Sequence, residues 1–177
     1  MNRRSTALLF FLPMSLAGCG GISTDGPLGQ PGSGGALCTP AALDGRAVDG
    51  FLALRNRGRA PVALHAIRLV KPVDLVITDA YVMPIRRRTL VGVRPGRYVR
   101  PTASSDPDTS GQPVVGATLP AAPSQELNLV LNVRSLASGR EAHADGVEID
   151  YEAGGTRYRW VSPIELRLQP AGRPCEA

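Results

Sequence analysis

Glu126-Leu127-Asn128-Leu129-Val130-Leu131-Asn132-Val133-Arg134 is a run of strict alternation, and it sets the fold class. Successive side chains of an extended strand point to opposite faces, so Leu127, Leu129, Leu131 and Val133 share one face. On an α-helix the same four would scatter around the axis. Downstream, Val147, Ile149 and Tyr151 alternate with Glu148, Asp150 and Glu152. Ala153-Gly154-Gly155-Thr156 then turns the chain and Tyr158-Arg159-Trp160 returns it, which reads as a hairpin. Ile164, Leu166 and Leu168 alternate with Glu165 and Arg167 in a last strand.

Upstream, residues 50–54 and 62–70 flank a charged connection over 55–61. Leu75, Ile77 and residues 80–85 supply one or two further strands, and residues 90–93 and 98–99 carry weaker signals. Seven to nine short strands at this spacing predict an all-β domain, an immunoglobulin-like β-sandwich, with a small β-barrel as the alternative. Gly and Pro number 20 and 16 in 177 residues, a density that favours turns and excludes a helical bundle. With 43% hydrophobic and 20% charged residues the chain has the balance of a globular domain. Trp160, the single tryptophan, is expected to anchor the core between two sheets. Residues 101–125, rich in Pro, Ser, Gly and Asp, read as a long loop.

The amino terminus has a separate logic. Asn2-Arg3-Arg4-Ser5-Thr6 is cationic, and an apolar run follows from residue 7 to residue 17. A bilayer span needs about 20 residues, so this run has the length of a signal-peptide core instead. It ends in Leu16-Ala17-Gly18-Cys19, which resembles the lipobox of bacterial lipoproteins. The resemblance implies a signal peptide over residues 1–18 that is cut away. It also implies a diacylglyceryl thioether on Cys19 and acylation, commonly palmitate, of the new amino terminus. Several acyl chains give stable membrane anchorage where one gives little. By the same resemblance, Gly20 in place of aspartate points to the outer membrane in a Gram-negative envelope.

Residues 20–37, GGISTDGPLGQPGSGGAL, are half Gly or Pro and carry one charge, Asp25. Such composition buries too little surface to offset its ordering entropy. With Cys19 it predicts a flexible tether over 19–37, with an r.m.s. reach of about 20–25 Å, and a domain over 38–177. Cys38 and Cys175 then stand at the two ends of that domain. Outside the cytoplasm disulfides persist, and neither cysteine has a second one at metal-ligand spacing, so a Cys38–Cys175 disulfide is expected.

Catalytic templates are absent from the sequence: no G-x-S-x-G, no H-E-x-x-H and no S-x-x-K. His65 lies in a strand and is expected to be a partly buried structural side chain. Glu141, His143 and Asp145 fall two apart, but ligands splayed by about 6–7 Å along a strand coordinate a metal poorly, and the stretch reads as a solvated turn. Asp106 and Asp108 lack the rest of a calcium-loop series. No metal or other cofactor is expected.

Arg86, Arg87, Arg88, Arg94, Arg97 and Arg100 fall in a segment free of acids, while residues 141–152 hold five acids and no Arg or Lys. The arginines form a candidate anion-binding patch for lipid headgroups or an acidic envelope polymer. The favoured expectation is that they blunt a strand edge and pair in part with Glu148, Asp150 or Glu152. Nucleic acid is excluded as a partner, because no aromatic stacking series accompanies them. The expectation is a membrane-anchored cell-envelope lipoprotein. Its sandwich would be a non-catalytic structural or ligand-binding module, contacting the membrane through Cys19 and beyond it an envelope polymer or envelope protein. The alternative is an envelope hydrolase or metal-dependent enzyme with a site assembled from distant residues.

Overall fold

The computed structural model describes residues 21–30, 34–85, 90–99, 111–122 and 125–175. Among them lie thirteen strands and no helix. In chain order they are β1 (Leu28–Gly29), β2 (Gly35–Pro40), β3 (Arg46–Asn56), β4 (Val62–Val70), β5 (Leu75–Pro84), β6 (Gly92–Pro95) and β7 (Gln112–Pro113). They continue as β8 (Thr118–Leu119), β9 (Glu126–Ser135), β10 (Ala142–Ala144), β11 (Gly146–Ala153), β12 (Thr156–Val161) and β13 (Ile164–Gln169).

β9 is the axis of a six-stranded sheet, in the order β1-β3-β9-β5-β7 with β6 paired to β3. A four-stranded sheet, β12-β11-β4-β8, and a three-stranded sheet, β10-β13-β2, complete the molecule. The two smaller sheets meet at Ser162, whose N–H donates to the Val147 carbonyl at 2.8 Å. One apolar cluster draws Leu52, Leu54, Leu129 and Leu131 from the large sheet, Leu64, Val147, Ile149 and Tyr151 from the second, and Ile164, Leu166 and Leu168 from the third. The fold is therefore an all-β sandwich with immunoglobulin-like layering, one large sheet facing two smaller ones. Each leucine buried there contributes about 2–3 kcal/mol.

Several expectations need correction. The tether over 19–37 is interrupted by structure: β1 pairs with β3 (Leu28 opposite Asn56), Leu28 is 4% exposed, and β2 runs parallel to β13 from Gly35. The folded part thus begins well before residue 38. Glu141 to Asp145 is not a turn but flanks and includes β10, which pairs with β13. Residues 98–99 form no strand. The expected loop over 101–125 contains β7 and β8 where it is described, and residues 100–110 and 123–124 lie outside the described residues. Trp160 is only half-buried, and Tyr151 is the largest fully buried side chain.

β9 is buried on both faces: Asn128, Val130 and Asn132, which point away from the sandwich core, are 1%, 0% and 2% exposed. The cover is the segment 90–99. Asn128 Oδ1 accepts from Val91 N–H at 2.7 Å, while its Nδ2 donates to the carbonyls of Gly50 and Leu52 at 2.8 and 3.0 Å. Asn132 Oδ1 accepts from Tyr98 N–H at 2.7 Å, and its Nδ2 donates to Tyr98 O at 3.0 Å. Each amide thus satisfies loop backbone that would otherwise be buried without partners.

Cys38 and Cys175 are joined by a disulfide with their Cα atoms 5.8 Å apart and a separation of 137 positions in sequence. Closing so long a loop removes about 5 kcal/mol of denatured-state freedom in the chain-entropy model. Replacing both cysteines by serine is expected to lower unfolding free energy by a few kcal/mol in urea titrations. A loss below about 1 kcal/mol would show that the bridge constrains little.

Among the described residues Asp49 is the one buried carboxylate, 4% exposed and opposite Leu131 at a bulge in β3. Burial pushes its pKa up to about 6, against the lowering effect of the Phe51 N–H bond, which is 3.1 Å long. The fold thus favours the protonated acid. That advantage is full below the unfolded pKa, near 4, and is lost as pH rises through about 6. Asp49→Asn is expected to stabilise the protein by up to about 3 kcal/mol at pH 7.5 and to change little near pH 4. Urea titrations at the two pH values check it, and a pH-independent difference would contradict it.

Candidate functional site

The richest grouping of polar and aromatic side chains lies on β4, β11 and β12. Antiparallel register puts Glu148 opposite Arg68 and Asp150 opposite Arg159. Such directly opposed pairs are the natural unit of cross-strand pairing. Arg68 reaches Glu148 and Asp150, each at 2.6 Å, and Arg159 lies 2.8 Å from Asp150 and 3.3 Å from Glu148. The acidic segment is therefore neutralised by its own neighbouring strands. The Arg159 hydrogen bond, then Arg68, holds the Asp150 carboxyl below its ordinary range despite partial burial.

Of the arginine segment's described members, Arg94 and Arg97, neither pairs with Glu148, Asp150 or Glu152. Arg97 pairs with Asp79 at 3.0 Å, and Arg94 is exposed on β6. Arg86, Arg87, Arg88 and Arg100 lie outside the described residues, as does Cys19.

At the bulge between Asp150 and Tyr151, β4 carries one extra residue, His65, between Leu64 and Ala66. Its side chain is half exposed, with Nε2 4.0 Å from Glu152 Oε2. Beside it a half-open cleft of about 330 Å³ is lined by Ile22, Ala66, Asp150, Arg157 and the tyrosine pair Tyr151 and Tyr158. The two rings stack at 5.3 Å with an interplanar angle of 19°. Burial raises the Tyr151 pKa, so its hydroxyl stays protonated. A general base for neutral-pH chemistry wants a pKa near 7, and the cleft's carboxylate, Asp150, is an ion-paired acid pulled the other way.

The other histidine stands apart. Ala142 and Ala144 are fully buried, which turns His143 outward with Glu141 and Asp145. Glu141 accepts from Gln169 Nε2, and Asp145 lies 3.0 Å from Lys71. Among the described residues no three His, Cys, Asp or Glu side chains gather as a metal-holding group.

The amino-terminal segment roofs this region, a feature composition did not reveal. Ser23 N–H donates to Arg157 O at 3.1 Å, and Arg159 N–H donates to Ser23 O at 2.8 Å, a parallel bridge on the outer edge of β12. Leu28 N–H then donates to Tyr151 Oη at 3.2 Å, and β1 joins β3. Residues 23–29 thus form a strap from one sheet to the other. Gly26 permits the crossing, because a Cβ there would sit 1.9 Å from Tyr151 Oη and 2.7 Å from the Tyr158 ring. The only sequence signal was a lone Leu28 among Gly and Pro.

Gly26→Ala is therefore expected to lift the strap. Hydrogen exchange should quicken by at least about tenfold at Leu28 and Arg159, the amides bonded across it, while β9 amides stay protected. Unchanged exchange at both would show that the strap contributes no local stability.

No protein-family model matches the chain, and no curated protein matches its sequence. Among solved structures, the VesB protease of Vibrio cholerae aligns with a TM-score of 0.36 at 8% identity, covering 81% of this chain. The chain spans about a third of that protease, 32% of its length. A human ASH/PapD-like domain, PapD-like domain 7 of CEP192, aligns over 97% of this chain and 100% of its own at 12% identity, also with a TM-score of 0.36. At these scores neither likeness bears on what this protein does.

Proposed function

We propose that the protein is a bacterial lipoprotein, held to a membrane through acylated Cys19, with a sandwich that serves outside the cytoplasm as a non-catalytic structural or ligand-binding module. The observation that carries this reading is the lipobox-like Leu16-Ala17-Gly18-Cys19 at the end of a short apolar run. The Cys38–Cys175 disulfide supports it, because such bridges persist in oxidising compartments. The acyl chains would be palmitate-like, and the site an outer membrane where the envelope has one.

The cleft supports a binding role more than a reaction. It is half-open, its acid is ion-paired, and stacked tyrosines with an arginine suit recognition of a planar or anionic group. The enzyme alternative rests on a single geometric feature, His65 Nε2 at 4.0 Å from Glu152 beside Asp150. That distance exceeds hydrogen-bond reach, and both side chains are about half exposed.

Cys19→Ser tests the anchorage. The wild-type chain should partition into membranes, resist a high-salt wash and take up a palmitate analogue. The variant should appear in the soluble fraction without label, still carrying the oxidised Cys38–Cys175 pair. A serine variant that stays in washed membranes would contradict the lipoprotein reading.

A further inference from the structure

The strap restricts where a lipid on Cys19 can stand. Four peptide links join Cys19 to Ser23, a reach of at most about 14 Å, and two join it to Gly21, about 7 Å. The Ser23–Tyr158 bridge is parallel, so the chain before Ser23 runs toward Thr156 and the tip of the β11–β12 hairpin. Consistent with that direction, Gly21, Gly155, Thr156 and Arg157 line a common depression. The tip is tight: Gly154 and Gly155 take φ of 58° and 79°, the left-handed values of a two-residue hairpin turn.

Resting on the lipoprotein reading, we propose that the domain is not held off the bilayer but lies with its β11–β12 hairpin end against the phospholipid surface. Ile22 meets the interface, and Arg157 meets headgroup phosphates. Ile22 is 50% exposed and stands two residues beyond Gly20. Arg157 is exposed and, among the described residues, has no carboxylate within ion-pair distance. An apolar side chain beside a free guanidinium is the pairing that interfacial binding uses. A short covalent link also keeps both at high local concentration relative to the lipid. The opposite end of the sandwich, where Leu136 N–H donates to Asp74 O, lies the length of β11 away, about 26 Å.

The test uses the lipidated full chain, purified from membranes and reconstituted in phosphatidylethanolamine–phosphatidylglycerol vesicles in which some lipids carry a shallow spin-label quencher. A fluorophore is placed at Thr156→Cys or, separately, at Leu136→Cys, both exposed positions. The label at 156 should be strongly quenched and the label at 136 not. Ile22→Ser with Arg157→Gln should reduce quenching at 156 while the protein still floats with the vesicles, since the acyl chains remain. Flotation with equal quenching at both positions, or with more at 136, overturns the orientation and leaves the lipoprotein reading standing. Undiminished quenching in the double variant overturns the roles of Ile22 and Arg157. Failure of the wild-type chain to float overturns the lipoprotein reading and this inference together.

Discussion

Burial of β9 on both faces is the constraint on which the rest of this architecture depends. A strand in an antiparallel sheet ordinarily keeps one face wet. Here Leu127, Leu129, Leu131 and Val133 fill the sandwich, while Asn128, Val130 and Asn132 are sealed by the segment 90–99. Sealing a strand with irregular backbone strands polar groups on both sides, and each unpaired one costs about 1–3 kcal/mol. The two asparagines resolve the conflict because a carboxamide both donates and accepts. Each satisfies an N–H and at least one carbonyl at once. Aspartate would leave the carbonyls without a donor, and leucine would leave both groups unpaired.

That detail marks the boundary of what the sequence made legible. Alternation located β9, β11 and β13, since a period of two needs only nearest neighbours to be seen. The hairpin at Gly154-Gly155 was equally plain, because left-handed backbone demands residues of that type. The double-sided burial of β9 was not visible. Asn128 and Asn132 look like solvent-facing residues, and only the arrival of Val91 and Tyr98 makes them internal. Composition likewise misled at residues 20–37. Glycine was read as freedom, whereas Gly26 is there because two tyrosine side chains leave no room for a Cβ.

The arginines teach a related lesson about distance. Sequence proximity grouped residues 86–100 against residues 141–152, but charge pairing in a sheet follows register. Glu148 and Asp150 meet Arg68 and Arg159 because those residues lie directly across the ladder. Exposed pairs contribute about 0–1 kcal/mol each, so this network is better understood as fixing register and keeping an edge hairpin in place. Arg97 instead ties the segment 90–99 to β5 through Asp79. Of the candidate anion-binding arginines, Arg97 is thereby committed to holding the cover over β9.

Strap and disulfide close the sandwich in complementary ways. The disulfide joins β2 to the chain after β13 and acts mainly on the unfolded ensemble. The strap acts on the folded state alone, through backbone hydrogen bonds with Arg157, Arg159 and Arg57, the Leu28 N–H bond to the Tyr151 hydroxyl, and the burial of Leu28. Its stabilisation is local, so it can open without unfolding the core. That difference matters for the cleft beneath it. Ile22 forms one wall of the cleft, and Tyr151 is held by Leu28 N–H. A pull or a contact at the amino terminus therefore reaches the tyrosine pair through four residues of backbone, without passing through the core. Under the proposed anchorage at that terminus, the shape of the cleft and the attachment to the membrane would be mechanically one feature.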